Sequence, residues 1–313
     1  MLALRLAEGQ VQVEQTRRPR RPKGHALIRV TLAGICNTDL ELLRGYYGFA
    51  GRPGHEFVGV VEEADSPAWL GRRVVGEINL ACGNCPTCAQ GLGRHCPTRS
   101  VLGIVRHPGA FAEYLTLPEE NLLPVPATLP DDEAVFCEPV AAACEIHEQL
   151  GKLKGQRVAV LGDGKLGLLI AQVLQVGGAQ VHLFGRHPEK IAIAERLGVQ
   201  PAAAGLFDVT VDATGSAAGL SQAVSMTRPR GRVVMKSTVA ERVQLDMAPV
   251  IVNEISLIGS RCGRFAPALR LLANRKIDVR SMIADRYPLS AAPQAFARAA
   301  ERGCLKVLLE PQL

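Results

Sequence analysis

The run Gly162-Asp163-Gly164-Lys165-Leu166-Gly167 constrains the fold of this chain more than any other feature. It follows the apolar segment Val158-Ala159-Val160-Leu161 and opens a stretch with helical spacing. Three glycines alone are a weak signal. Between a strand and a helix they are specific: Gly162 allows the tight turn, Gly164 lets a pyrophosphate approach the backbone, and Gly167 lets the helix pack on the strand. The run therefore predicts a dinucleotide-binding turn built from Gly162, Gly164, Lys165, Leu166 and Gly167.

The flanking sequence agrees. From about residue 148, apolar strands at 157–161, 180–184, 207–211, 232–235 and 255–258 alternate with helices from 165 and over 188–197. This is the α/β pattern of a doubly wound parallel sheet. The end of its second strand, where an acidic residue normally bonds the ribose hydroxyls, reads Leu183-Phe184-Gly185-Arg186-His187. A small residue followed by Arg186 and His187 leaves room and positive charge for a 2′-phosphate, which favours NADP over NAD. The alternative is that Arg186 stacks on the adenine or faces water.

At 313 residues the chain is longer than a single core usually grows, so two domains are expected. Residues 1 to about 125 read as short β segments, such as 26–30 and 57–62, separated by turns rich in Gly and Pro, which predicts a barrel-like β domain. After a helix near 267–274 come Tyr287-Pro288-Leu289, a helix at 293–300 and a strand at 305–309. The expected division is a first domain at 1–147, a nucleotide domain at 148–276, and a tail at 277–313 that returns to the first.

Cys82, Cys85, Cys88 and Cys96 lie on a loop whose turns are made by Gly83, Pro86, Gly91 and Gly93. Four thiolates on a small loop can close a tetrahedron around zinc with no open position, which marks a structural site. An iron–sulfur cluster is the other occupant with this ligand set. A second constellation joins Gly34-Ile35-Cys36-Asn37-Thr38-Asp39 to Gly54-His55-Glu56. Separately, these would read as an ordinary buried Cys and His. Together, Cys36, His55 and Glu56 offer a thiolate, an imidazole and a carboxylate around an open position, the donor set of catalytic zinc. Glu138 is the expected further ligand, with the adjacent Cys137 as its competitor.

Other features narrow the class. The basic run Arg17, Arg18, Arg20, Arg21 and Lys23 lacks interleaved aromatic residues, so it reads as a solvated loop and not as a nucleic-acid surface. No apolar run is long enough for a membrane span, and no secretion signal opens the chain. An odd count of nine cysteines without such a signal suits a reducing, cytoplasmic setting.

These motifs, in this order, resemble the zinc-containing medium-chain dehydrogenases, among them the alcohol, polyol, threonine and glucose enzymes. The resemblance covers nearly the whole chain and adds Asp212-Ala213-Thr214-Gly215 and the tail residues Ala295-Phe296. It implies a GroES-like β-barrel catalytic domain joined to a Rossmann domain, with substrate at zinc in the cleft between them. Two zinc ions per chain are implied, along with Thr214 and Gly215 at the cofactor. It also implies that Cys36, Thr38, His55 and Glu56 are catalytic, with Thr38 passing the hydroxyl proton towards solvent while hydride moves to the nicotinamide. The implied assembly is a homodimer or homotetramer, for which strand 255–258 is a candidate edge. The expected substrate is a small alcohol, polyol or sugar. A biosynthetic ketone reductase and a non-catalytic nicotinamide-sensing protein are the alternatives.

Three departures from the family pattern stand out. Glu41 replaces the usual relay His, as in the polyol branch. Only residues 199–206 separate the second helix of the nucleotide domain from its next strand, too few for a crossover, so the sheet is predicted to lack one strand–helix unit. Lys236 replaces a small residue and is expected to be solvated. Tyr46, Tyr47 and Phe49 are expected either to line the substrate pocket or to pack as ordinary loop residues.

Overall fold

The computed structural model describes residues 1–237 and 242–312. It forms two compact units, Met1–Glu138 with Ile283–Leu313, and Pro139–Met282. The divisions fall after residues 138 and 282, not after 147 and 276. The change of texture in the sequence marks the first strand of the second unit, but the preceding helix, Cys137–Leu150, already packs there: Ala141 lies under Gly263, and the Leu150 carbonyl accepts from Arg232. At the other end, Gln172 brackets Asp278 with two backbone hydrogen bonds and holds that segment in the second unit.

The first unit is organised by strand His25–Gly34, which is buried over most of its length. Glu56–Glu63, Tyr114–Pro118 and the C-terminal strand Lys306–Glu310 all pair with it antiparallel. The full sheet has seven strands and extends to Leu122–Pro124 on one side and Ile283–Pro288 on the other. The tail thus returns to the first unit. The register places Gly34 opposite Glu56 and also opposite Leu308, so the end of one strand gathers a metal-type residue and the C-terminal strand. Two of the five residues of the basic run are ion-paired: Arg18 pairs with Glu62 and Glu63 and lies over Tyr114, while Arg21 pairs with Asp65.

The second unit carries a six-stranded parallel sheet in the order Gln200–Pro201, Gln180–Phe184, Arg157–Leu161, Phe207–Asp212, Thr227–Met235, Ser256–Gly259. Val158 to Leu161 are at most 1% exposed. A strand covered on both faces reads as a continuous apolar run, which is why this one is legible in the sequence.

The expected loss of a whole strand–helix unit needs refinement. The helix is absent, but a two-residue strand, Gln200–Pro201, remains beside Gln180–Phe184. Because it stops so early, residues 202–206 suffice to reach Phe207 at the start of the next strand. Arg157 holds this shortcut by donating to the carbonyls of Ala204 and Leu206. Lys236 is also corrected: it is buried, and its Nζ donates to the Arg261 carbonyl at 2.6 Å. A lysine head can be buried when a strong acceptor replaces its water. No helix among the described residues is long and apolar enough to cross a membrane.

Candidate functional site

Cys36 caps helix Asn37–Leu43, and the Cys36 amide donates to Asp39 Oδ2 at 2.9 Å. The other oxygen of this fully buried carboxylate accepts from the Gly54 amide at 3.2 Å and lies 3.5 Å from His55 Nδ1. One side chain therefore ties the Cys36 turn to the Gly54-His55-Glu56 turn and sets a negative charge beside the imidazole. Burial lowers the proton affinity of His55, but the Asp39 carboxylate and the Cys36 thiol outweigh it and hold the imidazole well above its usual range. Asp39 was visible in the sequence as part of a motif. Its positioning role was not assigned, although an acid three residues after a helix cap is a recognisable signal.

The ligand atoms of Cys36, His55 and Glu56 all lie within 4.8 Å of one another. Glu56 Oε2 is ion-paired with Lys306 Nζ, and both side chains are almost fully buried. Its Oε1 is also buried and has no hydrogen-bond partner among the described residues. A buried carboxylate oxygen without a donor is costly, and a cation would relieve that cost, so this donor set fits a metal ion. Gly34 belongs to the same cradle, since a Cβ there would strike Glu56 Oε2 and press on Lys306. Thr38 Oγ1 sits 3.8 Å from Cys36 Sγ. Lys306 was missed in the sequence because it lies on the last strand, 250 residues from Glu56.

Glu138 and Cys137 are both buried. Neither belongs to the converging trio, although Glu138 contributes to the field at Lys306. Glu41 pairs with Arg44 at 2.7 Å on the surface. The Tyr46 and Tyr47 rings meet at a 45° tilt with centroids 4.2 Å apart, Tyr47 is 70% exposed, and Phe49 packs near Gly51.

In the four-cysteine lobe the sulfurs of Cys82, Cys85, Cys88 and Cys96 lie 3.5–3.9 Å apart along four edges. Sulfurs at Zn–S distance around one tetrahedral centre would be about 3.8 Å apart. The lobe thus matches a closed metal site, with the Thr98 hydroxyl holding Cys96 down to about 5.

The glycine turn has the expected shape. Gly162 has φ +108°, where a side chain would meet the Ala213 carbonyl at 2.5 Å, and a Cβ on Gly167 would collide with the Gly162 carbonyl. Nothing lies within 4 Å of a Cβ built on Gly164, so the backbone there is open to a ligand at the start of helix Lys165–Val176. Asp163 Oδ2 accepts from the amides of Arg186 and His187 at 2.6 and 2.7 Å and from His187 Nδ1 at 2.9 Å. The Arg186 side chain is exposed. Nearby, Asp212 Oδ1 accepts from the amide and hydroxyl of Thr214 and from Ser237 Oγ, which in turn accepts from the Gly215 amide. Asp212 therefore fixes the second cofactor loop expected from the sequence.

Residues 22–127 match the alcohol dehydrogenase GroES-like domain family, and residues 166–274 match the zinc-binding dehydrogenase family. A sorbitol dehydrogenase of Halalkalibacterium halodurans is 28% identical, covering 97% of this chain and 96% of its own. A D-altritol 5-dehydrogenase of Agrobacterium fabrum is 31% identical over 88% of this chain and 89% of its own. The NADP-bound structure of a protein from Sinorhizobium meliloti 1021, described as a zinc-binding dehydrogenase, superposes with a TM-score of 0.91 at 30% identity, covering 99% of each chain.

Proposed function

The chain belongs to the zinc-containing medium-chain dehydrogenases, and from that premise we propose that it transfers hydride between the CH–OH carbon of a small alcohol or polyol and NAD(P). The observation that carries this reading is the convergence of the Cys36, His55 and Glu56 ligand atoms, with the Thr38 hydroxyl 3.8 Å from the Cys36 sulfur.

Cys36, His55 and Glu56 would hold one zinc, with Glu138 as the proposed further ligand. Cys82, Cys85, Cys88 and Cys96 would hold a second. Zinc in the first site would acidify a substrate hydroxyl and stabilise the negative charge left on its oxygen. The Asp39 carboxylate lies 3.5 Å from His55 Nδ1 and would help to position the imidazole, while Lys306 anchors one oxygen of Glu56. Thr38, whose hydroxyl lies 3.8 Å from the Cys36 sulfur, would accept the hydroxyl proton and hand it on. Gly162, Gly164, Lys165, Leu166 and Gly167 would cradle the pyrophosphate, with Thr214 and Gly215 on the second loop. The expected preference for NADP draws on Arg186, His187 and the NADP-bound relative. The Asp163 carboxylate opposes it.

Polyols and sugar alcohols lead the substrate classes because the curated relatives named above act on sorbitol and D-altritol. Self-association through the terminal strand Ser256–Gly259, next to the exposed Ile251 and Val252, completes the proposal. The cysteines form no disulfide among the described residues, which suits a cytoplasmic setting. The test combines elemental analysis with a screen of sugar alcohols for nicotinamide reduction. About two zinc ions per chain and turnover of at least one polyol are expected. One zinc per chain, or no turnover across the panel, would remove the catalytic assignment.

A further inference from the structure

The end of strand Gln180–Phe184 carries glycine where a ribose-binding acid is normally found, and the missing carboxylate is supplied from elsewhere in space. A Cβ built on Gly185 would meet Cβ, Oδ2 and Cγ of Asp163 at 2.5, 2.5 and 2.6 Å. The carboxyl group of the glycine turn thus fills the space that a side chain at 185 would occupy. Asp163 is buried, and all three of its hydrogen bonds end on Oδ2. Its Oδ1 accepts none among the described residues.

We infer that Asp163 is the residue that selects the nicotinamide cofactor, accepting a ribose hydroxyl on Oδ1 and thereby favouring NAD(H) over NADP(H). The inference rests on reading the glycine turn as a dinucleotide site, and it reverses the preference that Arg186 and His187 suggest in the sequence.

Two physical arguments support it. First, the amides of Arg186 and His187 lie at the start of helix Pro188–Glu195, where a phosphate would seek donors. Asp163 Oδ2 already occupies both amides and the His187 ring nitrogen. Second, the carboxyl stays ionised at working pH. Burial pushes it up, but the His187 and Arg186 amides and the His187 ring outweigh burial and hold it below the usual carboxylate range. A 2′-phosphate there would meet a fixed negative charge, opposed by the exposed Arg186 and by His187, whose ring is already engaged with Asp163. A ribose hydroxyl would meet an acceptor. At the weak, water-like limit, repulsion between a carboxylate and a phosphate dianion at contact range is about 2 kcal/mol, or about thirtyfold in affinity before screening by salt.

The test is calorimetric titration of the whole chain with ADP-ribose and 2′-phospho-ADP-ribose, which need no turnover. The wild type is expected to bind ADP-ribose about tenfold more tightly or better. Asp163→Asn keeps a carbonyl oxygen for the two amides and turns the Oδ1 position into a donor. It is expected to erase or invert the ratio, with an unchanged circular dichroism spectrum confirming the fold. Tighter binding of the phosphorylated ligand by the wild type would overturn the inference, and this comparison stands even if the variant does not fold. A ratio unmoved in a folded Asp163→Asn protein would overturn it too. In either of those outcomes the dehydrogenase reading survives. Failure of the wild type to bind either ligand would overturn both.

Discussion

Replacing Lys306 by Met tests whether the Glu56 carboxylate is held as an ion inside the first unit. Lys306 and Glu56 are only 2% and 1% exposed; Lys306 Nζ also lies 3.5 Å from the Ile35 carbonyl and 5.5 Å from the Phe136 ring, and Cys36 and Glu138 add to the negative field around it. Removing one partner of such a pair leaves an uncompensated buried charge, at a cost of about 3–5 kcal/mol. For a unit of this size, that corresponds to a fall in melting temperature of roughly 6–20 °C. The fall should be large in protein stripped with a chelator and smaller in zinc-loaded protein, where a cation beside Glu56 replaces the lost ammonium. The double variant Glu56→Gln with Lys306→Met should melt above Lys306→Met alone, because it buries no charge. Burial lowers the proton affinity of Lys306, but Glu56 and Cys36 more than reverse this, so its pKa is raised. Its contribution is therefore complete below the ordinary lysine value and lost only as pH rises through the higher native one. Melting of stripped Lys306→Met within about 2 °C of wild type would refute a buried ion pair.

Other outcomes follow from the same geometry. Cys36→Ser should abolish turnover with little change in melting, whereas Cys88→Ser should chiefly destabilise the four-cysteine lobe, and equal losses of stability would contradict the division of roles. Thr38→Ala should lower the turnover rate by about 10²–10⁴ if its hydroxyl carries the proton, and an unchanged rate would exclude that role. Burial pushes Asp208 up, but Arg228 and the Arg157 amide outweigh it, so its carboxyl titrates below the ordinary range. Its stabilising effect is present above the unfolded value and lost as pH falls through the native one, so Asp208→Asn should flatten the acid limb of a melting-versus-pH curve. Ile251→Lys, which changes a side chain 71% exposed beside the terminal strand, should yield monomers by light scattering where the wild type assembles.

The parts of this fold legible in the sequence are those with strong local signals. Strands Arg157–Leu161 and Gln180–Phe184 are buried on both faces and bounded by turns, so even their limits could be read. The four cysteines and the trio Cys36, His55 and Glu56 were found because metal donors are rare and their spacing is informative. What escaped depends on contacts between distant segments. Lys306 looks like an ordinary residue of a C-terminal strand until the sheet brings it to Glu56. Asp163 looks like a spacer between glycines until the neighbouring strand ends against it. Lys236 looked solvated because its acceptor, a carbonyl, belongs to the backbone and leaves no trace in side-chain chemistry. Pattern reading finds residues that act with their sequence neighbours, and it misses those that act only through the fold.

The shortened strand Gln200–Pro201 also makes the two borders of the parallel sheet unequal. A border only two residues long, one of them a proline without an N–H, offers almost no ladder for another chain to extend. The opposite border, Ser256–Gly259, keeps its backbone groups and has exposed apolar residues alongside. Growth of the sheet from copy to copy can therefore proceed at one end only. Two copies joined there by a two-fold axis would consume both competent borders of this sheet, giving a closed pair that cannot grow further through it.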